Sequence, residues 1–398
     1  MTAQDTGTPA DVTVNRGADI EPRVSELLAA KRVRRETFPY TPCTPDGVVS
    51  GVGALMRASG VADFEITDVQ RMAGGASKEQ FSFTARVDGG APERLVLRQD
   101  PPESIVETCR YREDELFRAL AGIVPTPTTR FIDGDGTHLG QPGLVTTFID
   151  GVTKPPASSN VVSGVGTAFS DEWRAKLVPQ FIEHLVAIHD VDWRAADLPH
   201  FQPPTGYPEQ TAQWQVNWWA QVWRDDRTDA YPLITVAERW LRQRIPSIDV
   251  STDSRDLVLV HGDYRTGNFM FDADTGRFTA VLDWELAHLG DFHEDLGWIV
   301  QGLFAGPAED GKQLACSLLT REDLISRYEA ATGRTVDPAK LAFYEMFAAY
   351  KLAVMILGTG HSASIRGNNH QDVMLSWLTT VGHTFLGEIA RMLGEAGS

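Results

Sequence analysis

Cysteine, positive charge and long apolar runs are all scarce in this chain. Three cysteines occur in 398 residues. Cys43, Cys109 and Cys316 are odd in number and lack metal-ligand spacing, which argues against a disulfide framework and suits a reducing cytoplasm. Lys and Arg number 36 against 54 Asp and Glu, a formal net charge of −18. Nucleic acid and anionic membrane both require basic patches, so neither is expected as a partner. No run approaches the roughly 18 apolar residues of a transmembrane helix. The polar start MTAQDTGTPADVTV lacks the basic region and apolar core of a signal peptide. No internal repeat stands out. A hydrophobic share of 42% with 23% charged residues is that of an ordinary globular protein, and the length suffices for two lobes, each with its own core. Oligomeric state is not readable.

What is present is organised around residues 256–298. The apolar run Leu257 to Val260 stops at His261-Gly262-Asp263, and Asn268 follows five residues after Asp263. A second apolar strand, Phe269 to Phe271, comes at once. Asp272 to Gly276 form a turn, and Thr279 to Leu282 lead to Asp283. Magnesium takes one or two oxygen ligands from protein and the rest from phosphates and water. A carboxylate a few residues from a metal-binding Asn can orient a substrate hydroxyl, and protein kinases use this spacing followed by a separate metal-binding Asp. Asp263 is therefore the candidate base, with Asn268 and Asp283 the candidate magnesium ligands. The competing reading is a plain hairpin in which Asp263 and Asn268 satisfy turn backbone.

His261-Gly262-Asp263-x-x-x-x-Asn268 with Asp283-Trp284-Glu285 resembles the aminoglycoside phosphotransferase and choline kinase group. HGDYRTGN and LDWELAHLGD are most similar to the phosphotransferase domain that larger proteins carry beside an acyl-CoA dehydrogenase domain. The resemblance covers about residues 60 to 395. It implies an α+β, two-lobed, protein-kinase-like fold, with ATP and Mg2+ as cofactors and a small-molecule hydroxyl as acceptor. The branch suggests a hydroxyacyl-CoA; an aminoglycoside or macrolide kinase is the rival, and a nucleotide-binding pseudoenzyme a third reading. Antibiotic pockets for cationic drugs need clustered carboxylates, whereas a CoA pocket needs Lys or Arg.

The rest of the chain is read around that core. Residues 1–60 are expected to be an N-terminal extension, disordered to about residue 20, then helical over 24–36 and 48–59 and packed outside the first lobe. Residues 61–151 read as the N-lobe: strands over 64–72, 79–87 and 93–99, the last two joined by an Asp88-Gly89-Gly90 hairpin. Between the first pair, Gly74 and Gly75 let backbone amides approach a polyphosphate, and Ser77 adds a hydroxyl. Arg98 stands where kinases place a phosphate-binding lysine; it binds phosphate bidentately but is not equivalent to Lys. A helix over 104–120 should pair it with Glu113, or else Glu115. Strands over 129–132 and 144–149 complete the sheet, and the backbone at Thr147, Phe148 and Ile149 is expected to meet adenine. Residues 152–398 form the C-lobe: a loop over 152–167, helices at 171–189, 209–223, 237–243, 324–332, 340–357 and 372–393, and a break at Gly358-Thr359-Gly360-His361. His189, Asp291 and Asp295 read as structural residues, the two acids capping the following helix and bracing the catalytic loop.

Overall fold

The computed structural model describes residues 19–36, 40–72, 77–155, 166–250, 254–308 and 310–395. Two helices come first, α1 (Pro22–Arg34) and α2 (Pro45–Ala58), the second capped by the Thr44 hydroxyl, which accepts from the Gly47 amide at 3.1 Å. The period-two stretches form β1 (Phe64–Arg71), β2 (Glu79–Val87) and β3 (Glu93–Gln99). Helix α3 (Arg110–Ala119), β4 (Thr129–Asp133) and β5 (Gly143–Thr147) follow. The five strands pair antiparallel in the order β1-β2-β3-β5-β4.

Alternation decides what each strand offers. Phe81, Phe83, Leu95 and Leu97 turn to one face and bury Val52, Leu55 and Met56 of α2. Val96 and Arg98, one residue out of phase, face a cleft on the other side. The arginine's place in the site is thus a consequence of strand period.

The second half is mainly helical: α4 (Asp171–His189), α5 (Gln210–Asp226) and α6 (Pro232–Arg244) precede two small ribbons. β6 (Leu257–Val260) pairs with β9 (His288–Asp291), and β7 (Phe269–Phe271) with β8 (Phe278–Val281). Then come α7 (His293–Ile299), α8 (Arg321–Thr332), α9 (Pro338–Ala353), a π-helical segment Val354–Gly360, α10 (His361–Arg366) and α11 (Asp372–Glu395). A small antiparallel sheet lobe on a helical lobe is the two-lobed kinase-like architecture.

Three expectations are corrected. The helix expected over 104–120 starts at Arg110, because the chain after Pro101-Pro102 runs irregularly up to Cys109. The break expected at Gly358 to His361 is no break: wide π turns carry the helix through the glycines into α10. That continuous helix, Pro338–Arg366, is apolar enough by composition to cross a membrane, with a mean hydropathy of 1.5 over its best window; 78% of that window is buried inside the protein, so it is a core helix. Helix α1 packs away from the small sheet's core: Val24 and Leu28 join the same apolar cluster as Phe181 and Trp219 of the helical half. The glycine turn with Gly74 and Gly75, nearly all of the N-terminal lead and most of the 152–167 loop lie outside the described residues; Val152 itself bridges Phe271.

Candidate active site

The buried apolar strand β6 delivers His261-Gly262-Asp263 to the cleft. Gly262 has φ +80°, and a Cβ there would meet the Leu286 carbonyl oxygen at 2.7 Å, so glycine is required. Asp295 of α7 fixes the loop: its two carboxylate oxygens accept from the amides of His261 and Gly262, each at 2.8 Å, while His189 Nε2 stands 3.0 Å away. The His261 ring donates from Nε2 to the Leu282 carbonyl (3.0 Å), and Nδ1 accepts from the Asp263 amide (3.2 Å). Burial, above all, holds this imidazole below its usual pKa. It is a neutral brace between the two loops.

Asp263 is held from three sides. Oδ1 accepts from Trp298 Nε1 and from Arg265 Nε, each at 2.7 Å, and Oδ2 accepts from Asn268 Nδ2 at 2.6 Å. Asn268 Nδ2 also donates to the Asp263 carbonyl (2.9 Å). Its Oδ1, the atom a metal would take, has no donor among the described residues. Asp283 adopts φ +60°, ψ +54°, a left-handed conformation that disfavours any residue with a Cβ by roughly 1–2 kcal/mol. In this conformation its carboxylate lines the cleft, where Oδ1 lies 2.8 Å from Arg98 Nη2.

Arg98 is shared. Its other guanidinium nitrogen pairs with Glu113 in the first turn of α3, and Glu113 is also 2.5 Å from Arg110. Arg110 pairs with Asp100, Lys78 lies 3.2 Å from Asp100 and 3.5 Å from Glu285, and the Ser77 hydroxyl donates to Glu285 at 2.7 Å. The signs alternate along one line: Asp283, Arg98, Glu113, Arg110, Asp100, Lys78, Glu285. Four carboxylates against three cations leave a net charge of −1. Burial raises Asp100, but Arg110 and Lys78 outweigh it and hold the group below its ordinary value. At Glu285 burial prevails and pushes the carboxyl up.

A divalent cation suits this end of the line. Asn268 Oδ1 and the Asp283 carboxylate, 41% exposed, are two oxygen donors of the kind Mg2+ uses alongside phosphate and water. No cluster of three or more His, Cys, Asp or Glu suited to an all-protein metal cage occurs among the described residues.

The sequence-named residues thus meet around one cleft of about 590 Å³, which Ser77, Arg98, Thr147, Phe148, Ile149, Asp263, Asn268 and Asp283 all line. Glu113 stands behind Arg98, and Glu115 faces the other way, to the His200 amide at 3.1 Å. Of the three residues expected at adenine, Thr147 and Phe148 already donate their amides to the Thr128 and Arg94 carbonyls (2.9 and 3.0 Å), so Ile149 keeps the free donor among the described residues. Lys78, Asp100, Arg110, Arg265 and Trp298 were missed. Arg265, two residues after the candidate base, and Lys78, next to Ser77, were findable by position; Trp298, three residues after Asp295, needed the helix phase.

This division of the glutamates gives a direct test. Glu113→Gln should weaken Mg-ATP binding about tenfold, roughly 1.4 kcal/mol, because Arg98 loses its buried counter-charge. Glu115→Gln should leave that affinity unchanged, because Glu115 is engaged with His200 and not with Arg98. Titration calorimetry on both variants checks the contrast; equal effects would sink it.

Over residues 68–344 the sequence matches the family model of the phosphotransferase enzyme family, APH. A curated relative, acyl-CoA dehydrogenase family member 10 of Mus musculus, is 28% identical over 212 residues, covering 52% of this chain and 18% of that protein. The chain spans about a third or less of the length of the first acyl-CoA dehydrogenase relatives it matches, from 18% to 35%. Among solved structures, a presumed aminoglycoside phosphotransferase from Ralstonia eutropha superposes with a TM-score of 0.60 at 23% identity, covering 89% of this chain and 99% of that one. A thermostable mutant of aminoglycoside phosphotransferase APH(4)-Ia, in ternary complex with ADP and hygromycin B, gives 0.56 at 17% identity over 87% and 98%. At these identities the likeness is one of fold.

Proposed function

The chain belongs to the phosphotransferase enzyme family, and from that premise we propose that it transfers the γ-phosphoryl group of ATP to a hydroxyl on a small molecule with an apolar body. A hydroxyacyl thioester such as a hydroxyacyl-CoA is the chemical type we favour. The nucleotide reading is supported by the ADP complex of a structural neighbour and by the cleft's conjunction of Arg98, Asn268 and Asp283.

The observation that carries the acceptor class is the composition of the cleft beyond Asp263. That end is walled by Leu303, Phe304, Leu352, Met355, Ile356 and Trp377, and the acidic lining residues, Asp263, Asp283 and Glu285, belong to the charged centre. A polyammonium sugar needs carboxylates along its length, and an apolar wall leaves those ammonium groups unpaired. An alkyl or acyl chain buries its methylenes there at about 0.8 kcal/mol each.

The chemistry follows from the chain's own groups. The acceptor oxygen attacks the γ-phosphorus in line, a new O–P bond forms, and the bond to the β,γ-bridging oxygen breaks with its electron pair leaving on ADP. The hydroxyl proton passes to the Asp263 carboxylate, which Trp298 and Asn268 orient. Asn268 Oδ1 and Asp283 would hold Mg2+, whose double charge, when bound, neutralises phosphate oxygens. Arg98 supplies fixed positive charge on the nucleotide side. Positioning and charge neutralisation are the main contributions in this class of reaction.

The test is ATP consumption with magnesium across hydroxyacyl-CoAs, aminoglycosides, macrolides and amino alcohols, with Asp263→Ala as control. A hydroxyacyl-CoA signal abolished in the variant is expected. Turnover confined to aminoglycosides would overturn the acceptor class, and ATP binding without turnover of any acceptor would favour a nucleotide-binding pseudoenzyme.

A further inference from the structure

Residues 19–36 lie ahead of the stretch 68–344 that defines the family, yet they tie together parts of both lobes. At one end the Asp19 carboxylate accepts from the Tyr207 hydroxyl (2.9 Å) and from Gln210 (3.3 Å), and its carbonyl accepts from Asn217 Nδ2 (2.6 Å). Glu21 pairs with Arg112 in the first turn of α3, the helix that carries Glu113. At the other end Lys31 Nζ is 2.8 Å from Asp226 Oδ2 at the end of α5. Arg35 pairs with the same Asp226 and places Nε 3.0 Å from Glu103, while Arg34 pairs with Glu107. Asp226 Oδ2 also accepts from the Thr359 hydroxyl, 2.6 Å away in the π-helix.

These charges are deeply buried: the side chains of Lys31, Asp226, Glu103 and Glu107 are 4%, 1%, 0% and 4% exposed. A helix needed only to cover a core does so with Val24 and Leu28, and apolar residues in place of buried ion pairs are often as stable or more so. What the ion pairs add is a fixed position for what they hold. The segment around Glu103 and Glu107 receives Lys78: Nζ donates to the Ser104 hydroxyl (3.3 Å) and the Val106 carbonyl (3.2 Å). It then runs into α3, whose Glu113 holds Arg98. The π-helix, anchored at Thr359, presents Met355 and Ile356 to the acceptor end.

We propose that residues 19–36 are a positioning strap, with Asp226 as its hub, that sets where Lys78 and the Glu113–Arg98 pair stand relative to Asp283, and so sets the affinity for Mg-ATP. None of its residues touches the reacting atoms. The proposal rests on the nucleotide half of the function above and is independent of the acceptor.

The experiment uses the full chain, with Mg-ATP titrated calorimetrically and thermal midpoints measured alongside. Glu21→Gln and Lys31→Met are the single variants; the second leaves Asp226 paired with Arg35, and the first stands alone if the second does not fold. Each is expected to raise the Kd for Mg-ATP five- to tenfold, about 1–1.4 kcal/mol, with reduced hydrogen-exchange protection of the α3 amides. The charge-swapped double variant Glu21→Arg/Arg112→Glu is expected to return the Kd to within twofold of wild type. Lowered midpoints with an unchanged Kd in the folded single variants would make the strap merely structural and overturn the proposal. Absence of Mg-ATP binding by the wild type would overturn the functional reading as well.

Discussion

Asp263→Ala is expected to lower kcat by two to four orders of magnitude while Mg-ATP still binds. A positioned general base contributes about 10²–10⁴ in rate, and no other carboxylate is placed to replace this one: Asp283 is engaged with Arg98, and Glu285 with Ser77 and Lys78. Binding should survive because Asp263 faces the acceptor side. Asp263→Asn, close to the same shape, separates loss of the base from collapse of the site. Single-turnover phosphoryl transfer and nucleotide titration on both variants decide it; transfer within tenfold of wild type would remove Asp263 from the reaction.

Asp283→Ala should act on a different quantity. In the structure this carboxylate is bound to Arg98, the same cation expected on the phosphates. Asp283 would therefore serve both Mg2+ and Arg98, and with its carboxylate given to the metal the Arg98 guanidinium would be left to face the nucleotide. The variant loses the metal ligand and the Arg98 partner together. ATP in the presence of EDTA should bind it as well as wild type or better, whereas the advantage that Mg2+ confers on wild type should disappear. Paired titrations with and without metal test this, and an undiminished Mg2+ enhancement in the variant would refute the assignment. Turnover of Asp283→Ala should also fall, since Asn268 alone is a weak site for a hard dication.

The centre of the site was legible because its residues stand at the ends of apolar strands, where a side chain's direction follows from the strand. Arg98 was placed by its position on the third strand, where kinases carry a phosphate-binding lysine, and strand alternation accounts for its facing the cleft. Glu113 and Glu115 could not be separated, because the choice depends on helix phase and the true start at Arg110 differs from the one that the prolines suggested. Lys78 stands beside Ser77 in the sequence, but its burial could not be read there: a lysine next to a turn normally points to water, and only the opposing Asp100 and Glu285 make its burial tolerable. Helix α1 shows what periodicity does not contain. Its apolar stripe says that one side is covered, but not by which lobe, and the ion pairs that decide the matter join residues almost two hundred positions apart.

The π-helix between α9 and α10 carries a consequence for how this scaffold can change over generations. A π turn arises from an α-helix by insertion of a single residue, and each residue added or removed turns everything downstream by about 100°. Val354–Gly360 sits where Met355 and Ile356 wall the acceptor end, well away in sequence from Arg98, Asn268 and Asp283. One codon gained or lost there would present a different set of side chains to the acceptor while Arg98, Asn268 and Asp283 keep their own places on other elements. A lineage could in this way explore new acceptors by small insertions and deletions, without first passing through a dead enzyme.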